Sequence, residues 1–65
     1  MNVAIYATTS PRTFLAVQEG TMPPARATRL FKRLTLEAGK QRICLDPDEV
    51  MAAIQNEGWA VLRVG

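Results

Sequence analysis

Between positions 26 and 42 the chain carries Arg26, Arg29, Lys32, Arg33, Lys40 and Arg42 against the lone carboxylate of Glu37, a local net charge of +5. Guanidinium forks match carboxylate and phosphate oxygens bidentately, and lysine adds a point charge, so the chemistry on offer here is anion recognition. Arg26, Arg29 and Arg33 stand at i, i+3 and i+7, a spacing that lines one flank of a helix, with Lys32 beside them. From Asp46 to Glu57 the sign reverses, with Asp46, Asp48, Glu49 and Glu57 giving −4 and no cation. The whole chain is only +2, so the sum conceals a polarised molecule. The plain alternative for the basic stripe is a solvated face that keeps a small protein soluble.

Catalytic groups are scarce. There is no histidine, so neither a Ser nor a Cys nucleophile has the usual base, and the commonest metal ligand is missing. Four glycines form no phosphate-cradling loop. Asp46, Asp48 and Glu49 resemble a metal cluster but suit a helix cap better, and Cys44, between Ile43 and Leu45, reads as a small buried hydrophobe. Thr8, Thr9 and Ser10 offer hydroxyls to a ligand, yet a turn uses the same residues. The expectation is a non-enzymatic protein with no catalytic residue, no metal and no cofactor.

Sixty-five residues hold one small core, so residues 1–65 are read as a single domain. Val3 to Thr8 and Thr13 to Gln18 are rich in β-branched and aromatic residues around the turn-forming Thr9-Ser10-Pro11-Arg12, which predicts a β-hairpin. After Pro23-Pro24, Ala27, Leu30, Phe31 and Leu34 recur at i, i+3, i+4 and i+7, which predicts a first helix over about 24–36. Gln41 to Leu45 reads as a third strand. Asp46 as N-cap, Pro47 at the first helical position and Glu49 two residues later open a second helix, with Leu45 and Val50 placed as a hydrophobic staple. Its buried stripe is Val50, Met51, Ala53 and Ile54, Gly58 ends it, and Trp59 to Val64 forms a last strand. The predicted fold is α+β: a ββαβαβ sandwich, one sheet with two helices packed against it. Tyr6, Phe14, Phe31 and Trp59 are all expected to face inward, which argues against base stacking and favours a protein partner.

Ile5-Tyr6, Thr13-Phe14-Leu15-Ala16-Val17, and Leu45-Asp46-Pro47-Asp48-Glu49-Val50 through Ile54 to Gly58-Trp59 are similar to the pattern of the YcgL-like domain family. The resemblance covers about half the chain and implies a small α/β sandwich, with no activity attached. The middle departs from that pattern: Gly20-Thr21-Met22-Pro23-Pro24 and the arginine-rich segment stand where the family carries an acidic turn.

Met1 to Ser10 has neither a basic leader nor a long apolar run, so a soluble, cytoplasmic protein without a membrane partner is expected. The function expected from these residues is that of a small regulatory or interaction protein. It would dock on a larger host machine, such as RNA polymerase or a nuclease complex, as small phage-encoded regulators of transcription do. Arg26, Arg29, Lys32, Arg33, Lys40 and Arg42 would meet an acidic protein surface or nucleic acid within that complex. The alternative is a free-standing nucleic-acid-binding module using the same basic helix. A core this small is one that a partner or a homodimer would complete.

Overall fold

In the computed structural model, which describes residues 1–40 and 45–64, the order is β1 (Asn2–Thr8), β2 (Thr13–Gln18), β3 (Ala27–Thr35), α1 (Pro47–Glu57) and β4 (Ala60–Arg63). The four strands form one antiparallel sheet in the order β3-β1-β2-β4. The hairpin is where the sequence puts it, with Ile5 opposite Ala16 and Tyr6 opposite Leu15. The second predicted helix also holds: Asp46 Oδ1 accepts from the N–H groups of Asp48 and Glu49 at 3.0 and 3.4 Å, with Pro47 in the first turn. Gly58 ends the helix in the left-handed region at φ 91°, its N–H donating to Ile54 O at 2.8 Å.

The first predicted helix is wrong, and with it the two-helix sandwich. Ala27–Thr35 is an edge strand paired with β1, so the architecture among the described residues is βββαβ with one helix. The strand is bulged twice. Leu30 pairs with Tyr6 and Lys32 with Ile5, leaving Phe31 as an extra residue, and Thr28 is extra between Ala27 opposite Thr8 and Arg29 opposite Ala7. Each extra residue shifts the period-two alternation by one, so apolar residues recur at spacings that imitate a helical period. The other local signals side with the strand: with Pro24 at the first helical position the cap would be Pro23, which has no side-chain acceptor, and Ala27 N–H closes a turn on Pro24 O at 3.0 Å. The expected third strand at 41–45 falls mostly on residues 41–44, outside the described residues, as does Cys44; Leu45 makes an isolated bridge.

The core on the helix side is Val3, Ile5, Ala16, Leu36, Val50, Ile54 and Ala60. Helix α1 packs on β2 and β4, away from the β3 edge. Leu36, just past β3, is 1% exposed, and Met1 fastens it there, with Leu36 N–H on Met1 O at 2.8 Å and the Met1 ammonium on Leu36 O at 2.7 Å. The opposite face is also covered, since Ala4, Leu15 and Val17 are buried. Strands β2 and β3 both run antiparallel to β1, so residues 19–26 must cross the sheet between the Gln18 and Ala27 ends. That crossing lies over the Leu15 face: Arg26 shares a small cleft with Leu15 and Val61, and Pro23 and Pro24 are half-buried.

Candidate binding surface

Side chains on cross-strand partners share a face, and the register therefore sorts the cations. Lys32 opposite Ile5 and Arg29 opposite Ala7 stand on the helix side of the sheet; Arg33, opposite Ala4, stands on the other. Arg26 precedes β3 and lies on the Leu15 face. The single flank expected of a basic helix is thus split between two faces of an edge strand. Lys40 lies beyond the strand and pairs with Glu37 at 2.9 Å, while Arg42 is outside the described residues. Arg33 Nε stands 3.6 Å from Glu19 Oε1. Both ion pairs are exposed, and such pairs contribute about 0 to 1 kcal/mol.

The Phe31 bulge creates a surface that the sequence did not reveal. Phe31 was expected inside, but it is 56% exposed. Because α1 covers the β2 and β4 side, the helix-side face beside β3 is left to a short row of Arg29, Phe31 and Lys32. The ring is held rather than loose: its centroid is 5.0 Å from that of Phe14 at an interplanar angle of 43°, and Phe14 packs on the core. Lys32 Nζ lies 5.7 Å from the Phe31 centroid, within cation–π range. The signal that could have found this row is Thr28 and Thr35 bracketing Phe31, β-formers on a segment with no helix cap. Tyr6, Phe14 and Trp59 are half-buried.

The acidic trio is explained as a cap, with Asp46 Oδ1 occupied by two backbone N–H groups. The turn hydroxyls also have local work. Thr8 Oγ1 donates to Thr13 O at 2.8 Å and accepts from Ser10 N–H at 3.2 Å, and Thr13 Oγ1 donates to Pro11 O at 3.2 Å. Among the described residues no helix is long and apolar enough to cross a membrane. No family model, no curated protein and no solved structure matches the chain.

Proposed function

We propose that this protein is a non-enzymatic binding module that holds single-stranded nucleic acid on the helix-side face of β3. The observation that carries the reading is the exposed Phe31 ring, packed at a tilt against Phe14, with Lys32 Nζ over the ring and Arg29 on the same face of the strand. A π-face set among cations is what a base and its neighbouring phosphates require, because every base can stack and every phosphate can be neutralised without sequence readout. The row is narrow, matching one base and two phosphates rather than a duplex groove. An acidic protein surface on a larger complex would be met by the cations alone, without an aromatic that stacks. Strand addition by a partner is disfavoured, since bulges at Thr28 and Phe31 interrupt the edge a partner strand would pair with.

Fluorescence anisotropy with a labelled single-stranded oligonucleotide tests the reading. Phe31→Ala should weaken binding about tenfold, in line with roughly 1 to 3 kcal/mol per stacked base. Two phosphate contacts predict a log–log salt slope of about −1.4. No binding at low salt would remove the reading, and recovery of an acidic protein complex whose capture survives Phe31→Ala would favour docking on a larger machine instead.

A further inference from the structure

On the opposite face, at the far end of the sheet, lies a depression of about 430 Å³ lined by Ser10, Thr13, Arg26, Val61 and Arg63. It joins a narrow cleft formed by Thr8, Thr9, Ser10, Thr13, Leu15, Arg26 and Val61. The sheet register explains the assembly. Arg63 pairs with Thr13 and Val61 with Leu15, which puts both β4 side chains on the face away from α1. The crossing chain over that face delivers Arg26 from the other edge. Residues from three separate segments thus meet around one hollow, and among the described residues no carboxylate lines it.

We propose that this hollow binds a phosphate group, with Arg26 and Arg63 as the two cationic forks and Ser10 as the hydroxyl donor. Arg33 and Lys40 have carboxylate partners, whereas Arg26 and Arg63 have none among the described residues. Arg63 also borders the groove along α1 with Asp46 and Glu49, yet it forms no ion pair with either. Two guanidinium groups lining one depression repel each other, and a shared dianion converts that repulsion into attraction. Thr8 and Thr13 spend their hydroxyl protons on backbone carbonyls, so they shape the rim while Ser10 is left to donate. The exposed Val61 forms the apolar part of the wall. A hollow this large accommodates an ester as well as the free ion, so the shared chemistry is the phosphate group.

The site is independent of the Phe31 row, and its test uses neither that residue nor an oligonucleotide. Amide NMR titration of the whole protein with inorganic phosphate, and separately with glycerol 3-phosphate, at constant ionic strength against chloride, should give saturable shifts at Ser10, Thr13, Arg26 and Val61 to Arg63. Half-saturation is expected at about 1 mM, with Arg63→Gln and Arg26→Gln each weakening it about tenfold. Tighter binding of the ester identifies a small phosphate monoester as the occupant, and equal or tighter binding of the free ion identifies phosphate itself. Linear shifts up to about 10 mM, or a titration unchanged in both glutamine variants, would overturn the proposal. Both arginines are exposed, so unchanged amide dispersion of the variants confirms that a lost titration reports the site.

Discussion

Arg12 is the one non-glycine residue with positive φ among the described residues. It occupies the third position of the Ser10-Pro11-Arg12-Thr13 turn, closed by Thr13 N–H on Ser10 O at 3.4 Å, and its own carbonyl accepts from Val64 N–H at 2.8 Å. Holding a side chain in the left-handed region costs about 1 kcal/mol that glycine avoids. Arg12→Gly should therefore stabilise the protein, raising Tm by roughly 4 to 8 °C for about 1 kcal/mol in a domain this small. A fall in Tm would show that the arginine side chain makes a contact worth more than the strain. At this scale the sequence is legible where the signal is local. The Asp46 cap, Pro47 and Gly58 act within a few residues of themselves, and each does what its type predicts. Arg12 looked like an ordinary turn residue, because a sequence states that a turn forms more readily than which of its positions takes positive φ.

Strand β3 is nine residues long and forms one edge of the sheet. An open edge invites pairing with another chain, and two bulges together with Arg29, Lys32 and Arg33 blunt it. Replacing Arg29 and Lys32 by valine should leave the fold intact and promote self-association, read as a concentration-dependent rise in sedimentation coefficient. A strictly monomeric double variant would show that the bulges alone protect the edge. The same segment shows why periodicity misled. Its i, i+3, i+4, i+7 pattern is real, but the residues fall on alternate sides of a strand whose alternation is reset at Thr28 and again at Phe31. Helix α1 escaped that ambiguity because caps at both ends agreed with its stripe, with Val50 and Ile54 buried and Met51 and Ala53 half-buried.

At the scale of the whole molecule, one helix cannot cover a four-stranded sheet, and the chain closes the remainder with extended segments. Leu36 plugs the helix-side core from beyond β3, and residues 19–26 cross the other face. Leu36→Ala should cost about 2 to 5 kcal/mol, comparable to the roughly 3 to 5 kcal/mol such a core supplies, so circular dichroism at 25 °C should report a largely unfolded chain. Retention of a cooperative transition near the wild-type Tm would place the main support elsewhere.

What the sequence determined alone was the β1–β2 hairpin, helix α1 with its caps, the final strand and the concentration of positive charge between Arg26 and Arg42. Only the tertiary structure decided that the basic segment is a strand, that its cations divide between two faces, and that Arg63 joins Arg26 across the sheet. The hairpin and the caps are specified by neighbours a few residues apart. The state of β3 is specified by the unpaired edge of β1, some twenty to thirty residues away in the chain, whose backbone N–H and C=O groups gain partners only if residues 27–35 extend.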